Sequence, residues 1–362
     1  MARVRLENVT KRFADVIAVN KLNLEIKDGE FVCLLGPSGC GKTTTLRMIA
    51  GVETPTEGAI YIGDVVVNDL PSKDRDIAMV FQFYVMYPGM KVFDQIAFPL
   101  KMRGTPKSEI KRSVKEVASL LGIDHLLDEP VTRLTVGEKQ RIELGRAIVR
   151  KPRVYLLDEP LTNLDAKLRS YMRGEIKRLM KTLGTTTIYV THDQLEAMSM
   201  ADRVAVMNLG NLLQYDTPDA IYDHPKNLFV AGFVGSPAMN FIECTFMKKD
   251  EKTFLDAAEF LYDVSDFGTL IEEQSTSSEL ILGVRPEHIS VSLSRLNKDS
   301  IEADVSLMEP IGNRMILHLS VGRHSIIVNT YPMRIDVGQT AWILLDRSRI
   351  HVFDKKTGKT IV

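Results

Sequence analysis

A glycine-rich loop at residues 36–44, GPSGCGKTT, constrains the fold of this 362-residue chain more than any other segment. An apolar run, EFVCLLG, leads into the loop and is typical of a buried strand, and TTLRMIAG after it has helical spacing up to Gly51. The loop matches the pattern G-x-x-x-x-G-K-[ST], in which backbone N–H groups at a helix N-terminus surround phosphate groups. The sequence therefore predicts a strand–loop–helix unit that binds the phosphates of a nucleotide.

Each position of the loop has an expected task. The glycines allow the backbone to wrap the phosphates, Lys42 reaches the β- and γ-phosphates, and the hydroxyl of Thr43 is a ligand for Mg²⁺. ATP and Mg²⁺ are therefore the predicted cofactors. The predicted phosphate-binding residues are Gly36, Ser38, Gly39, Cys40, Gly41, Lys42, Thr43 and Thr44.

Two adjacent acids, Asp158 and Glu159, end a second apolar run, VYLL. Alone, such a strand end is more often a polar turn, but together with a phosphate loop it predicts a catalytic edge. We expect Asp158 to hold Mg²⁺ through its water shell, as the acid after an apolar strand does in phosphate-loop ATPases. Glu159 is the candidate general base that polarises a water for in-line attack on the γ-phosphorus.

Three further residues are weaker candidates. His192 follows the apolar run TIYVT at the expected ligand edge of an open α/β sheet, although a lone histidine there is more often an ordinary loop residue. Gln82 ends IAMVFQ, and its neutral oxygen suits Mg²⁺ or the attacking water. The pattern around Phe13 favours a core position, and the functional alternative is an aromatic face stacked on adenine.

The order of the elements predicts two domains. Residues 1–235 alternate apolar strands with helices, as in a parallel sheet with crossover helices, and about 88–150 form a charged helical subdomain within them. After GSPAMNF, short strands with frequent turn signals predict an all-β domain of the oligonucleotide/oligosaccharide-binding (OB) type over residues 236–362. The predicted fold class is α/β, a phosphate-loop ATPase domain followed by a β-barrel domain.

Composition limits the partners and the compartment. Lys and Arg number 46 against 47 Asp and Glu, a formal charge of −1, so no strong overall field attracts nucleic acid or anionic lipid. Three scattered cysteines indicate a reducing compartment, the cytosol by default. The N-terminus lacks the apolar segment of a secretory signal, and no run approaches the roughly 18 apolar residues of a membrane helix. If this protein serves a membrane, we expect another chain to cross it.

Several motifs, in this order, resemble those of the ATP-binding cassette (ABC) ATPases. They are GPSGCGKTT, MVFQ, the signature segment LTVGEKQR, VYLLDEP, LTNLDA and VTHD. FVGSPAMNF and LGVRPEHI are similar to the linker and regulatory barrel of maltose-type sugar-importer subunits. The resemblance implies a head-to-tail homodimer on the cytoplasmic side of the cell membrane, with each ATP held between one subunit's phosphate loop and the other's signature. It also implies two permease subunits and, indirectly, an extracytoplasmic substrate-binding protein.

The resemblance implies a role for individual residues. Phe13 stacks the adenine, Gln82 senses both Mg²⁺ and the permease, Glu159 is the catalytic base, Asp165 makes a contact across the dimer, and His192 clamps the γ-phosphate. Thr43, Gln82 and Asp158 form the implied metal site. The cargo stays open: sugars are favoured by the resemblance, while polyamines, glycerol phosphate and inorganic anions are alternatives.

The signature segment departs from the family pattern Leu-Ser-Gly-Gly-Gln. This chain has Thr135, Val136, Gly137 and Glu138 after Leu134. Thr135 and Glu138 have the spacing of a capping box, so the following helix is expected to form. Val136 brings a branched side chain to a position where glycine lets backbone approach phosphate, and Glu138 adds negative charge there. Both changes are expected to weaken the closed dimer, unless Glu138 folds back onto its own helix.

Two other functions compete with an importer ATPase. One is an ABC-type ATPase that acts on nucleic acid or ribosomes, with the barrel as an oligonucleotide binder. Residues 241–362 carry 14 Lys and Arg against 18 Asp and Glu, a net charge of −4, whereas a nucleic-acid-binding barrel is expected to be basic. The charge therefore predicts no nucleic-acid partner. The other function, a slowly hydrolysing nucleotide-dependent regulator, follows from the altered signature and stays open.

Overall fold

The computed structural model describes residues 2–82, 86–162 and 164–362 of the chain. Their contacts divide the chain into two compact units, with the division after Pro218. We predicted the domain boundary at residue 235, and the intervening residues group with the second unit. Which of these cuts releases domains that fold independently stays a prediction.

The first unit is built on two sheets. Its strands are β1 (Val4–Phe13), β2 (Val16–Ile26), β3 (Phe31–Leu35), β4 (Glu57–Ile62), β5 (Val65–Val66), β6 (Ile77–Val80), β7 (Val154–Asp158), β8 (Thr186–Thr191), β9 (Arg203–Asn208) and β10 (Asn211–Asp216). A four-stranded antiparallel sheet has the order β2-β1-β4-β5. A six-stranded sheet has the order β10-β9-β3-β8-β7-β6, and only the β10–β9 pair is antiparallel.

The helices of this unit connect the parallel strands. They are α1 (Lys42–Ala50), α2 (Val92–Met102), α3 (Lys107–Leu120), α4 (Val136–Ile148), α5 (Ala166–Leu183) and α6 (Gln194–Met200). One buried apolar cluster joins side chains of both sheets with Leu46, Met48 and Ile49 of α1. Between β6 and β7 lie α2, α3 and α4, and α2 packs against the other two. The strand–helix alternation that the sequence predicts is therefore present as a mainly parallel sheet with crossover helices.

The second unit is rich in strands. It contains α7 (Pro218–Asp223), α8 (Leu228–Phe233), β11 (Asn240–Lys249), β12 (Lys252–Asp256), β13 (Leu261–Asp263), α9 (Gly268–Gln274), β14 (Glu279–Val284), β15 (Ile289–Ser292), β16 (Ile301–Ile311), β17 (Arg314–Val321), β18 (His324–Thr330), β19 (Thr340–Leu345) and β20 (Ile350–Asp354). Two five-stranded antiparallel sheets, β13-β12-β11-β14-β20 and β15-β19-β16-β17-β18, share one buried apolar core. The predicted fold class, α/β followed by an all-β domain, is confirmed.

The hydropathy of the helices bears on the expected membrane role. Among the helices of the described residues, none is both long and apolar enough to cross a bilayer.

Candidate nucleotide-binding and hydrolysis site

The parallel sheet brings the predicted site segments to one edge. Strands β3, β8, β7 and β6 are adjacent in this order, and each adjacent pair is parallel. The glycine-rich loop follows β3, His192 follows β8, Glu159 follows β7, and Gln82 lies two residues after β6. Because the carboxyl ends of such strands form the ligand edge of an open α/β sheet, segments far apart in sequence meet there.

Two glycines of the loop are required by close packing. A Cβ atom at Gly36 would lie 2.2 Å from the carbonyl oxygen of Met207, which no side chain tolerates. Gly41 has φ of 105° and directly precedes α1, and a Cβ atom there would lie 2.4 Å from the carbonyl oxygen of Ala18. The loop is therefore built so that its backbone passes close to neighbouring strands and turns sharply into the N-terminus of α1, the end of a helix that favours anions.

Lys42 lies across this loop. Its buried ammonium donates hydrogen bonds to the carbonyl oxygens of Gly36 (2.7 Å) and Pro37 (2.9 Å), and it lies 3.8 Å from the Sγ of Cys40. Burial raises the pKa of the Cys40 thiol, although the charge of Lys42 opposes the shift. Lys42 therefore places a buried positive charge within the loop, a charge suited to binding phosphate.

Thr43 and Asp158 form an oxygen-rich contact beside the loop. The Thr43 hydroxyl donates a hydrogen bond of 3.0 Å to Oδ1 of Asp158. Burial raises the pKa of Asp158, while the Thr43 bond and the charges of Arg47 and Lys42 oppose the shift. A hydroxyl and a carboxylate are the hard donors that Mg²⁺ prefers. The described residues contain no group of three or more His, Cys, Asp or Glu that could hold a metal ion.

Glu159 and His192 are in direct contact. Nδ1 of His192 lies 3.0 Å from Oε2 of Glu159, within hydrogen-bond distance. The Thr162 hydroxyl donates to the same oxygen at 3.1 Å. The Glu159 backbone has φ of 45°, a left-handed conformation uncommon for residues with a Cβ, and its N–H bonds to the carbonyl oxygen of Val190 in β8. Its carboxylate is thus oriented from both the side chain and the backbone.

Arg169 supports the segments on both sides of this pair. Its Nη2 donates to the carbonyl oxygens of Thr162 (3.3 Å) and Leu164 (3.1 Å), and its Nη1 lies 3.7 Å from Oδ2 of Asp193. Asp193 follows His192 and caps α6. Thr162 and Arg169 were not among the site residues predicted from the sequence. The sequence contained only local spacing that could have indicated them. Thr162 lies three residues after Glu159, and Arg169 lies four residues after Asp165, the N-cap of the same helix.

The other predicted site residues lie in separate places. Asp165 is the N-cap of α5 and accepts a hydrogen bond from Leu168 N–H at 3.0 Å. Phe13 ends β1 with 44% of its surface exposed, so the expectation of a core position is wrong. The Lys11 ammonium lies 4.7 Å from the centre of the Phe13 ring. Gln82 is exposed. The unusual segment FYVMYPGM at 83–90 and the motif LTNLDA lie partly outside the described residues.

The altered signature forms a capping box at the start of α4. Glu138 N–H donates to Oγ1 of Thr135 at 3.4 Å, and Thr135 N–H donates to Oε2 of Glu138 at 2.8 Å. The Thr135 hydroxyl also donates to Oε2 of Glu138 at 2.8 Å, and the bonds from the Thr135 N–H and hydroxyl to this carboxylate lower the pKa of Glu138. Val136 is 41% exposed, and a Cβ atom at Gly137 would lie 3.0 Å from the side chain of Leu168. The predicted capping box is therefore present, and Glu138 folds back onto its own helix.

Family models agree with this architecture. The model described as "ABC transporter" matches residues 19–162, the "MalK OB fold domain" matches residues 235–289, and the "TOBE domain" matches residues 282–353. A solved structure of cbiO1 from Clostridium perfringens, part of the ABC transporter complex cbiONQ, superimposes with a TM-score of 0.57 at 28% identity. It covers 60% of this chain and 89% of that chain.

Curated relatives match along the whole chain. The trehalose/maltose import ATP-binding protein MalK of Thermococcus litoralis is 50% identical over 374 residues, which cover 100% of both proteins. The oligosaccharides import ATP-binding protein MsmX of Bacillus subtilis is 43% identical over 99% of both. The sn-glycerol-3-phosphate import ATP-binding protein UgpC of Psychromonas ingrahamii is 42% identical, over 100% of this chain and 96% of the relative.

Fold, site and relatives define an ATP-binding ATPase of the ABC transporter class. The chain belongs to the ABC transporter family, within the group whose ATPase domain is followed by a MalK OB fold domain and a TOBE domain.

Proposed function

We propose that the chain is the ATP-hydrolysing subunit of an importer and powers uptake of a small solute, a sugar in the first place, through a separate membrane permease. Relatives named for trehalose/maltose and oligosaccharide import, similar over their full length, support a sugar. The sn-glycerol-3-phosphate relative keeps a phosphorylated polyol as an alternative cargo. In this proposal the chain lies at the cytoplasmic face of the membrane and meets the substrate-binding protein only through the permease.

The observation that carries the proposal is the contact between Glu159 and His192 at the same sheet edge as Thr43 and Asp158. Lys42 holds the β- and γ-phosphates. Thr43, Asp158 and Gln82 would hold Mg²⁺, which neutralises charge on the phosphates when bound. Glu159 accepts a proton from the attacking water, and His192 keeps the carboxylate in place until its imidazole turns to the γ-phosphate.

The dimer is the second part of the proposal. Two copies would place each ATP between the phosphate loop of one copy and residues 135–138 of the other. Phe13 would stack the adenine, for which its exposed ring at the end of β1 is suited. Asp165, fixed as the N-cap of α5, would make a contact across the dimer.

The substitution Glu159→Gln tests the proposed base. The amide keeps the shape and still accepts the Thr162 bond, but it is no proton acceptor. We expect steady-state hydrolysis to fall by about 100-fold or more, with ATP affinity retained and an ATP-bound dimer accumulating. Lys42→Ala should instead lose ATP binding. Turnover and equilibrium binding of a fluorescent ATP analogue separate the two effects.

Glu116→Gln on α3 is a matched control, because Glu116 is an exposed glutamate away from this edge. It should keep wild-type turnover. Hydrolysis by Glu159→Gln within a few-fold of wild type would refute the base assignment. Negligible hydrolysis by the wild-type protein reconstituted with its permease would favour the nucleotide-dependent regulator.

A further inference from the structure

Glu196 is a buried acid four residues after His192. It lies in the first turn of α6 with 3% of its surface exposed, and a buried carboxylate needs hydrogen-bond donors around it. Tyr189 and Thr191 are two positions apart in β8, so their side chains lie on the same face of the sheet. Neither the predicted site residues nor the proposed hydrolysis includes this acid.

Two hydroxyl groups bind the same oxygen of Glu196. The Tyr189 hydroxyl donates to Oε2 at 2.9 Å, and the Thr191 hydroxyl donates to it at 2.7 Å. Burial raises the pKa of Glu196, and both bonds oppose the shift because they stabilise the charged form. A threonine hydroxyl has one proton, so the bond to Glu196 sets the orientation of the Thr191 hydroxyl.

The oriented Thr191 hydroxyl also binds the residue on the other side of His192. Because its proton points to Glu196, a lone pair of Oγ1 accepts the Asp193 N–H, at 2.9 Å. Asp193 in turn accepts from Leu195 N–H (2.8 Å) and Glu196 N–H (3.3 Å) through Oδ1. His192 is thus the middle residue of a turn whose two neighbours are joined by a hydrogen bond, while 48% of its own side chain is exposed.

We propose that Glu196 is a positioning residue for His192. It acts through the Thr191 hydroxyl, which connects the buried carboxylate to the backbone N–H of Asp193. The imidazole is exposed and rotates about two side-chain bonds, so the backbone that carries it decides whether the ring reaches Glu159. The role of His192 in hydrolysis rests on the proposed function, whereas the turn rests only on these hydrogen bonds.

Two substitutions of similar chemistry separate positioning from stability. Thr191→Val and Tyr189→Phe each remove one hydroxyl that donates to Glu196 and keep the shape of the side chain, but only Thr191→Val breaks the connection to Asp193. It should lower kcat about ten-fold or more and change KM for ATP by less than about two-fold, because the loop 36–44 supplies most of the proposed ATP contacts. Tyr189→Phe should keep both values within about two-fold. Thr191→Ser retains the hydroxyl and should restore kcat.

Two substitutions of Glu196 itself give an independent comparison should Thr191→Val fold poorly. Glu196→Gln retains an acceptor and should keep kcat, whereas Glu196→Met has a similar length and no acceptor, and it should lose about as much as Thr191→Val. Equal losses of kcat in Thr191→Val and Tyr189→Phe would show that the bonds to Glu196 act only on stability, and would overturn the proposal. Wild-type kcat in Thr191→Val or in Glu196→Met would overturn it as well.

Amide exchange tests the turn without any need for hydrolysis. In the full-length protein, Thr191→Val and Glu196→Met should speed exchange of the Asp193 amide about five-fold or more, the factor given by loss of one ordinary hydrogen bond. Tyr189→Phe and Glu196→Gln are the controls and should leave that exchange unchanged. Equal exchange at Asp193 in wild type and Thr191→Val would contradict the proposal. If the wild-type protein hydrolyses no ATP, the proposed function fails, while the exchange results still decide whether Glu196 fixes the turn at His192.

Discussion

Glu159 combines a functional side chain with a strained backbone. A left-handed conformation is disfavoured for an L residue by about 1 kcal/mol or more. Here the bond from its N–H to Val190 and the hydroxyl of Thr162 act on the same residue, so surrounding contacts hold the strained conformation. The strain has a structural consequence, since it turns the chain away from β7 and directs the carboxylate toward His192.

At the signature, the two departures from the family pattern should have unequal effects. The Glu138 carboxylate is bound to Thr135, so its charge is already partly compensated, whereas Val136 is exposed at the first turn of α4. We expect Val136→Gly to raise ATP-dependent dimerisation about three-fold or more and Glu138→Gln to change it by less than about two-fold, given that a charge at a helix end contributes about 0.3–1 kcal/mol. Analytical ultracentrifugation with ATP in the Glu159→Gln background measures both.

The same background without substitution in the signature is the control. An increase with Glu138→Gln as large as that with Val136→Gly would show that charge, rather than the valine side chain, limits closure. If neither substitution increases ATP-dependent dimerisation, the altered signature does not limit closure of the dimer.

Residues within one local motif were predictable, and residues joined by packing were not. The spacing of Gly36 to Thr43 specifies a strand–loop–helix unit, and the acids after VYLL fall at a strand end whichever way the domain packs. Thr162 and Arg169 act through contacts whose geometry depends on tertiary structure. Phe13 illustrates the opposite error: the local sequence pattern predicts burial, but this residue pairs with Val16 at the turn end of the β1–β2 hairpin, where both are exposed.

At the scale of elements, helix α4 has one feature that the sequence predicted and one that it did not. The capping box followed from Thr135-x-x-Glu138, a local pattern, and the structure contains it. The partial burial of Glu143 could not be predicted, because it depends on tertiary packing of α4, which includes its contact with β6. Burial raises the pKa of Glu143 from 4.5 to about 7, against the opposing charge of Arg146.

The pKa of Glu143 predicts a pH dependence of stability. The folded protein binds this proton more tightly than the unfolded chain, so the free energy of unfolding decreases as pH rises from about 4.5 to about 7. Glu143→Gln removes this contribution. Relative to wild type, the variant should gain about 2 kcal/mol between pH 5 and pH 8, after allowance for solvent screening. Urea denaturation at both pH values measures the difference, with Glu116→Gln as control. A gain that is equal at both pH values would exclude Glu143 as the titrating group.

At the scale of the whole molecule, a buried arginine lies after the predicted boundary at residue 235 and bonds two residues before it. Arg285 is 1% exposed, and it donates to the carbonyl oxygens of Tyr222 (2.6 and 3.2 Å) and Val234 (2.7 Å). Its guanidinium also lies 3.6 Å from the Tyr222 ring centre, and burial lowers its pKa to about 10. The boundary at residue 235 was predicted from the Gly/Pro/Ser composition of the segment that begins there. Composition could not reveal that helices α7 and α8, before that linker, are bonded to a strand end of the β-rich unit.

Cutting the chain at the two candidate boundaries distinguishes them. A fragment of residues 1–218 should remain monodisperse and bind ATP, whereas 1–235 leaves α8 without Met239 and Phe353, which pack against Ala231. That fragment should bind an apolar dye and aggregate more readily.

The C-terminal fragments give a second comparison. The free energy of unfolding of 219–362 should exceed that of 236–362 by about 3 kcal/mol or more, since removal of Tyr222 and Val234 leaves a buried guanidinium without acceptors. Arg285→Met in 219–362 is the matched variant, because it removes the cation and keeps the volume, and it should lose much less than the truncation does. Equal stability of 219–362 and 236–362, with 1–235 as soluble as 1–218, would place the boundary at residue 235 after all.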